Sequence, residues 1–256
     1  MPMESIAVFG VEIHAVSMVQ AVDQILMWAA TGDGCRVVVT PNLDHAVVFQ
    51  RDERLRDAYR AADLVLADGQ PLVLASRLSK RRLPERVAGS DLVPALFAAT
   101  TRPLTVYLLG AAEGVAVRAK RTIEEQFPFV RVVGTYSPPP GFEAEAEQTA
   151  GILRRIEEAH PDVLILGLGA PKQEIWATRH KAQLAARVAI CAGATIDFLA
   201  GERVRAPSWM RRSGLEWLYR VSREPGRLGR RYLRDALALP GLLWTEVRTR
   251  RLELPQ

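Results

Sequence analysis

The chain has 256 residues, of which 48% are hydrophobic and 25% are charged, with a mean hydropathy of +0.01 and a net charge of +5. These values are typical of a globular domain and exclude a disordered chain, a collagen and a coiled coil. The longest nearly apolar run, Ala236 to Trp244, is far shorter than the roughly 20 residues of a membrane-spanning helix, so an integral membrane protein is excluded as well.

Short apolar runs alternate with helical patterns through the first 194 residues. The predicted strands are Cys35–Val39, Asp63–Ala67, Thr105–Leu109, Val130–Gly134, Val163–Gly167 and Val188–Ala192. The predicted helices are Ser17–Ala30, Asp44–Arg60, Pro71–Leu78, Asp91–Ala99, Glu113–Phe127, Glu143–Ala159 and Pro171–Leu184. Continuous aliphatic strands separated by helices predict an α/β fold, with a parallel, Rossmann-like sheet covered by helices on both faces.

The alternation stops near Ala194, and the composition changes. From residue 201 onward there are 13 Arg, no Lys and 6 acidic residues, a net charge of +7, whereas residues 1–200 carry −2. Three of the five Trp, at positions 209, 217 and 244, also lie there, at roughly helical spacing with Leu. We predict an α/β body over residues 1–194 and a helical, basic C-terminal appendage over residues 195–256.

Two interpretations of this appendage stay open. Its apolar face either packs on the core or inserts into a membrane interface, since Trp and Leu opposite Arg are typical of interfacial helices. Its basic face either is simply solvated or binds phosphate, whether of a nucleic acid, an anionic membrane or a phosphorylated ligand.

The cysteines and histidines give no sign of a metal site. Cys35 and Cys191 stand apart in apolar surroundings, and the four His are not spaced like metal ligands. We expect buried thiols, a reducing cytosolic compartment and no structural metal. The first residues, with Glu4 early, do not resemble a secretory signal.

Polar residues follow two of the predicted strands, where parallel α/β sheets bind ligands. Thr40-Pro41-Asn42 follows the first strand and suits hydrogen bonding to a polyhydroxylated ligand, although helix capping would explain it too. Asp68-Gly69 follows the second strand, and partial burial there would make Asp68 a general base. The alternative for Asp68 is again a helix cap.

Glycines at two other strand ends suggest that phosphate approaches the backbone. These glycines are Gly110, Gly167 and Gly169, each shortly before a helix. The chain has neither a complete dinucleotide-binding motif nor a P-loop. It also has no Asp-x-Asp pair to hold a divalent ion against a diphosphate, so the arginines of the appendage are the candidates for neutralising one.

With these motifs in view, the sequence resembles the WecG/TagA/CpsF glycosyltransferases along nearly its whole length. The motifs that carry the resemblance are Thr40-Pro41-Asn42, Ala67-Asp68-Gly69, Arg86 to Asp91, Gly167 to Glu174, Gly193-Ala194-Thr195 with Asp197-Phe198, and Arg205 to Tyr232. The resemblance implies inverting transfer of a sugar, N-acetylmannosamine or its uronic acid, from a UDP-sugar to a polyprenyl-diphosphate-linked N-acetylglucosamine. It places the enzyme in bacterial cell-surface polysaccharide synthesis.

The resemblance also implies roles for residues at matching positions. Asp68 matches the general base. The positions that match the acceptor and sugar pocket are Thr40, Asn42 and Arg86. Those that match contacts to the nucleotide-sugar are Gln173 and Asp197. Three arginines match the site of the donor diphosphate: Arg220, Arg227 and Arg230.

The implied enzyme works without a metal or other cofactor. It is cytoplasmic and peripheral on the inner face of the cytoplasmic membrane, where the appendage completes the site and contacts anionic lipid. Two rival functions stay open: transfer of glucose or another hexose to a longer lipid-linked oligosaccharide, and non-enzymatic nucleic-acid binding by the basic tail. We expect no nucleic-acid partner, because no recognised module appears. Self-association of the chain stays open.

Overall fold

The structure is a computed structural model and describes residues 3–207, 209–210 and 215–252, without the side chains of residues 227 and 250–252. Its centre is a six-stranded parallel sheet in the order β4-β3-β8-β7-β5-β6. The strands are β3 (Arg36–Val39), β4 (Leu64–Val65), β5 (Leu104–Gly110), β6 (Val130–Tyr136), β7 (Val163–Gly167) and β8 (Val188–Cys191). All six strands predicted from the sequence are confirmed, with ends that differ by up to two residues.

Helices cover both faces of this sheet. They are α1 (Met18–Thr31), α2 (Leu43–Phe49), α3 (Glu53–Ala61), α4 (Gln70–Ser76), α5 (Gly89–Ala99), α6 (Val115–Gln126), α7 (Ala146–Ala159), α8 (Lys172–Arg179) and α9 (Thr195–Leu199). Alternate strand residues enter two separate cores: Val37 and Val39 pack in one, and Val38 in the other. A strand whose side chains are buried on both faces reads as a continuous apolar run, which is why the α/β prediction is confirmed.

The predicted helix Asp44–Arg60 is two helices, α2 and α3. Asp52 separates them: its side chain accepts a hydrogen bond from the Arg54 backbone N–H at 3.0 Å and caps α3. The apolar periodicity of the sequence nevertheless continues across the break. Phe49 of α2 and Tyr59 of α3 stack, with ring centroids 5.8 Å apart, so both helices contribute to one apolar face. The signal that could have located the break is Asp52 itself, an N-cap residue followed by the acidic Glu53.

A hairpin near the start of the chain was missed. It consists of β1 (Ser5–Val8) and β2 (Val11–His14), joined by a turn in which Phe9 and Gly10 both have positive φ. Alternating apolar residues on both sides of a glycine are the pattern of such a hairpin.

Two helices end the described chain, so the prediction of a helical appendage is confirmed. They are α10 (Glu216–Arg223) and α11 (Pro225–Leu252). The helix α11 continues through Pro240 and packs against α2, which brings the end of the chain back to the first half of the body. The helix α9, by contrast, packs on α6 and β7. The limit at residue 194 between two units stays a prediction.

Candidate active site

A cavity of about 540 Å³ opens at the carboxyl ends of the strands. It lies where the neighbouring strands β3 and β8 are followed by helices on opposite faces of the sheet. Ala46 of α2 packs in one core and Ile196 of α9 in the other. Helices that diverge in this way leave a crevice at the strand ends, and α/β folds bind their ligands in that crevice.

The structure brings most of the predicted site residues together. Seven of the nine line the cavity: Thr40, Asn42, Asp68, Arg86, Gln173, Asp197 and Arg220. Arg230 is exposed and is not among the lining residues. The side chain of Arg227 lies outside the described residues. One cavity thus unites residues from the ends of several strands with a residue of α10.

Asp68 follows β4 and faces this cavity. It does not cap α4, because Gly69 is the N-cap and no side chain bonds there; the Asp68 backbone N–H donates to the Pro41 carbonyl at 2.8 Å. Loss of water around the carboxylate raises the pKa of Asp68 to about 6; Arg86 opposes this rise and Glu216 adds to it. Such a carboxylate is ionised at neutral pH yet basic enough to take a proton, as a general base must be.

The turn Thr40-Pro41-Asn42 joins β3 to α2. The Thr40 hydroxyl donates to the Cys191 carbonyl at 3.1 Å, which ties the ends of β3 and β8 together. The Asn42 side chain accepts from the His45 backbone N–H, and the Asn42 backbone N–H donates to His45 Nδ1, each at 3.3 Å. The capping interpretation is therefore confirmed for Asn42, which lines the cavity as well, and wrong for Thr40.

Gln173 and Glu174 lie in the first turn of α8 and are almost fully buried. Gln173 Nε2 donates to Glu174 Oε1 at 2.8 Å, and His45 Nε2 lies 3.3 Å from the same oxygen. A carboxylate only accepts, so these contacts hold the amide nitrogen of Gln173 against Glu174. The amide oxygen of Gln173 has no hydrogen-bond partner among the described residues. A ligand donor would satisfy it.

Asp197 lies in α9, on the other side of the crevice. Its Oδ2 is 3.3 Å from Arg203 Nε, and Arg203 Nη1 reaches Glu224 Oε1 at 3.1 Å. Arg203 also lines the cavity, although no motif pointed to it. These ion pairs connect α9 to the residue between α10 and α11.

The C-terminal helices form the wall opposite the sheet. From α10 come Glu216, Trp217 and Arg220, and from α11 come Arg231, Tyr232, Asp235, Ala236 and Leu239. The α11 residues fall on one helical face. That face includes Arg231 and not its neighbour Arg230. The sequence could not distinguish the two, because both are Arg and the phase of the helix depends on how it packs.

Polar contacts attach α11 to the body. Asp44 at the start of α2 pairs with Arg231 at 2.8 Å and also with Arg234. Further along α11, Glu246 accepts a hydrogen bond from the Phe9 backbone N–H at 2.8 Å. The helix is therefore attached to the body at two separate points.

Arg86 precedes α5 and contacts three carboxylates. Its guanidinium lies 2.6 Å from Asp91, 3.3 Å from Glu216 and 3.8 Å from Asp68. Glu216 was missed as a site residue, and its only signal was its place in the segment Gly214 to Arg220. Through this contact the appendage reaches the candidate general base.

The glycines at the two strand ends differ in position. Gly167 and Gly169 line the cavity, and Gly110 is not among the lining residues. A Cβ on Gly110, whose φ is +116°, would lie 2.5 Å from the carbonyl group of Gly167. The close approach of β5 and β7 therefore requires this glycine, whatever binds nearby.

Metal and membrane signals can be stated for the described part of the chain. There, no group of three or more His, Cys, Asp or Glu could hold a metal ion, and no helix is long and apolar enough to cross a membrane. Cys35 and Cys191 are buried free thiols, as predicted. Burial raises the pKa of Cys35 to about 12 and raises the pKa of Cys191 as well, so both stay protonated.

Comparison with known proteins identifies the family of the chain. The model of the glycosyl transferase WecG/TagA/CpsF family matches residues 6–253. Similar proteins include two enzymes named N-acetylglucosaminyldiphosphoundecaprenol N-acetyl-beta-D-mannosaminyltransferase. The one from Staphylococcus aureus is 28% identical over 225 residues, which are 87% of this chain and 86% of its own. The one from Bacillus subtilis is 30% identical over 192 residues, 75% and 73% of the two chains. Because the family match spans nearly the whole chain, the protein belongs to the WecG/TagA/CpsF family and is a glycosyltransferase.

Proposed function

We propose that the protein transfers N-acetylmannosamine, or its uronic acid, from a UDP-sugar to a polyprenyl-diphosphate-linked N-acetylglucosamine. The names of the relatives from S. aureus and B. subtilis support this acceptor and the first of these sugars. The observation that carries the proposal is Asp68, a carboxylate with its pKa raised to about 6 in a cavity also lined by arginines.

Inversion at the sugar follows from a single displacement. The acceptor hydroxyl oxygen attacks the anomeric carbon on the face opposite UDP, and its proton passes to the Asp68 carboxylate. The bond from the anomeric carbon to the UDP oxygen breaks, and UDP leaves with the electron pair. One carboxylate suffices, because no covalent intermediate forms, and general-base help of this kind contributes typically about 10²–10⁴ in rate.

Arginines supply the positive charge that the leaving diphosphate needs. Arg203, Arg220 and Arg231 line the cavity. Arg203 and Arg231 each pair with an acidic residue, whereas Arg220 forms no ion pair with the residues that the structure describes. Fixed guanidinium groups stabilise developing phosphate charge much as a metal ion does. We therefore propose that the reaction needs no metal.

An exposed stripe on α11 suits the inner face of the cytoplasmic membrane. Leu233, Leu237 and Trp244 are 62%, 75% and 72% exposed, and their spacing puts them on one side of the helix. That side is turned roughly away from the residues of α11 that line the cavity. Arg230 and Arg248 flank the stripe at its two ends. Exposed Leu and Trp beside Arg favour an anionic bilayer surface, where a lipid-linked acceptor would be found.

The test is UDP release by the purified protein. The acceptor is a short-chain polyprenyl-diphosphate-linked N-acetylglucosamine, the donors are a panel of UDP-sugars, and each reaction is run with and without EDTA. We expect release with the N-acetylmannosamine or N-acetylmannosaminuronic acid donor, unchanged by EDTA, and loss of release in Asp68→Asn.

Other outcomes would change the proposal in defined ways. Release only with UDP-glucose or another hexose donor would support the rival sugar. Loss of release in EDTA that returns with Mg²⁺ or Mn²⁺ would contradict the metal-free mechanism. An Asp68→Asn variant that turns over at the wild-type rate would contradict the role of Asp68.

A further inference from the structure

Three carboxylates and two guanidinium groups form a network beside the cavity. Arg86 contacts Asp91, Glu216 and Asp68 at 2.6, 3.3 and 3.8 Å. Arg205 contacts Asp91 at 2.7 Å and Glu216 at 3.9 Å. Among the described residues, these contacts join three acids with two bases.

Asp68 is the acid that these cations serve least. Its distance to Arg86 is the longest of the three, and it has no other ion pair among the described residues. The shorter contacts of Arg86 are those to Asp91 and Glu216. A guanidinium forms strong charge-assisted hydrogen bonds at about 2.7–2.9 Å, so at 3.8 Å little of that strength remains for Asp68.

Glu216 comes from the appendage, whereas the other acids in the network come from the body. It is the first residue of α10, and its side chain is largely covered between Arg86 and Arg205. The same helix brings Trp217 and Arg220 to the cavity wall. One side chain thus both attaches α10 to the body and competes for the guanidinium nearest to Asp68.

We propose that Glu216 is a positioning residue for the general base: it holds Arg86 from the appendage side and so prevents that guanidinium from closing on Asp68. The catalytic meaning of this contact depends on the proposed role of Asp68. The contact itself has a consequence for Asp68 that does not depend on any substrate.

That consequence is a change in the pKa of Asp68. The charged or titratable groups that face Asp68 come from four parts of the chain: Arg86 before α5, Glu216 and Arg220 of α10, His45 of α2, and Tyr232 of α11. Neutralising Glu216 removes a like charge and also frees Arg86 to approach Asp68. Both changes favour the ionised carboxylate, so both lower its pKa.

The direct test is an NMR titration of the full-length protein carrying [¹³Cγ]Asp, without any substrate. The signal lost in Asp68→Asn assigns Asp68. In Glu216→Gln we expect its titration midpoint to fall by about one pH unit, because the like charge of Glu216 is removed and Arg86 can approach Asp68 more closely than 3.8 Å. Neighbouring charges shift a pKa by roughly 1–3 units. The matched control is Glu202→Gln, since Glu202 is exposed and pairs with Arg118; there the midpoint should stay unchanged.

An unchanged or raised midpoint in a folded Glu216→Gln variant would overturn the proposal. If Glu216→Gln does not fold, Glu216→Asp replaces it. This variant keeps the charge but shortens the side chain that reaches Arg86, so we expect a smaller fall in the titration midpoint of Asp68. No fall would again overturn the proposal. The titration needs no turnover, so a wild-type protein inactive on all donors would count against the proposed function alone.

Where turnover is found, kinetics add a second reading. The acidic limb of the kcat/KM profile for UDP release should move to lower pH in Glu216→Gln, by the same amount as the NMR midpoint. A residue that only holds the fold together would lower activity at all pH values without moving this limb, and that result would overturn the proposal.

Discussion

The two walls of the cavity differ in how much their attachment depends on ion pairs. On the body side, two residues that follow β3 are fixed by hydrogen bonds. Thr40 bonds to Cys191 at the end of β8, and Asn42 bonds to His45 in α2. On the appendage side, ion pairs act together with apolar packing. Glu216 pairs with Arg86 and Arg231 with Asp44, and three leucines of α11 pack against the core of the body: Leu239, Leu242 and Leu243. The body presents a base and neutral amides, and the appendage presents most of the guanidinium groups.

This difference has consequences for stability and for salt. The body packs two apolar cores around a six-stranded sheet, and burial of that kind is little affected by ionic strength. Partly exposed ion pairs each contribute little and weaken as salt rises. The base should therefore stay in place under conditions that loosen the arginines. Changes on the two walls should be separable by experiment.

The largest effect is expected on the body wall. Asp68→Asn should lower kcat for UDP release by about 10²–10⁴, because the amide cannot take the proton of the acceptor hydroxyl. Affinity for UDP, measured by calorimetry, should change little, since the arginines are intact. The control is Asp57→Asn on α3, where Asp57 is exposed and pairs with Arg60. Equal loss of UDP affinity and turnover would show that Asp68 binds the donor and does not act as the base.

A second effect is expected on the appendage wall. Arg220→Ala should lower kcat by about 10²–10³, the range seen when one preorganised donor to a developing negative charge is removed, and should weaken UDP binding. Arg223→Ala is the matched control, because Arg223 is exposed on the same helix and lies over the Tyr219 ring. UDP-release kinetics and calorimetry measure both variants. If the two behave alike, Arg220 has no special role at the diphosphate.

The outer side of the appendage offers a third comparison, with a smaller effect. Leu237→Gln combined with Trp244→Gln should reduce binding to anionic vesicles about tenfold or more. Each side chain is only partly inserted at the bilayer surface and loses a fraction of the roughly 1.5–3 kcal/mol that full burial contributes. Flotation of the protein with vesicles measures this. The control pairs Val19→Gln with Val117→Gln, two exposed residues of the body. Equal loss in both double variants would remove the α11 stripe as the membrane contact.

The sequence predicted the body well, for a physical reason. The strand Val163–Gly167 is buried on both faces and contains only apolar residues, so its limits are visible without a structure. The break after Phe49 was not visible, because Tyr59 completes the apolar pattern from across it. The family resemblance, now confirmed, also excludes the non-enzymatic rival function.

Without the family resemblance, the site was predictable only where a strand end fixes the position. Asp68 follows a strand, and strand ends of a parallel sheet meet at one edge, so it was found. Glu216 and Arg231 lie on helices, whose rotation depends on packing against Arg86 and Asp44 far earlier in the chain. No local pattern in the sequence shows such a contact. The resemblance pointed to Arg230, whereas the place of its neighbour Arg231 at the cavity wall depends on such a contact.

The smallest effect separates function from stability at Asp68. Above pH 7 the residue is ionised in both the folded and the unfolded chain, and only the folded chain bears the cost of a charge removed from water. Asp68→Asn removes that cost, so its Tm should exceed that of the wild type by about 2 °C or more. The pKa of Asp68 is about 6 in the folded chain and about 3.9 in the unfolded chain. Between these pH values the wild type therefore takes up a proton when it folds, and this uptake stabilises the folded state as the pH falls. The gap in Tm should therefore close as the pH falls from 6 towards 4. Scanning calorimetry at pH 8, 6 and 4 measures this gap in Tm. A gap that stays constant or widens towards pH 4 would show that folding does not raise the pKa of Asp68.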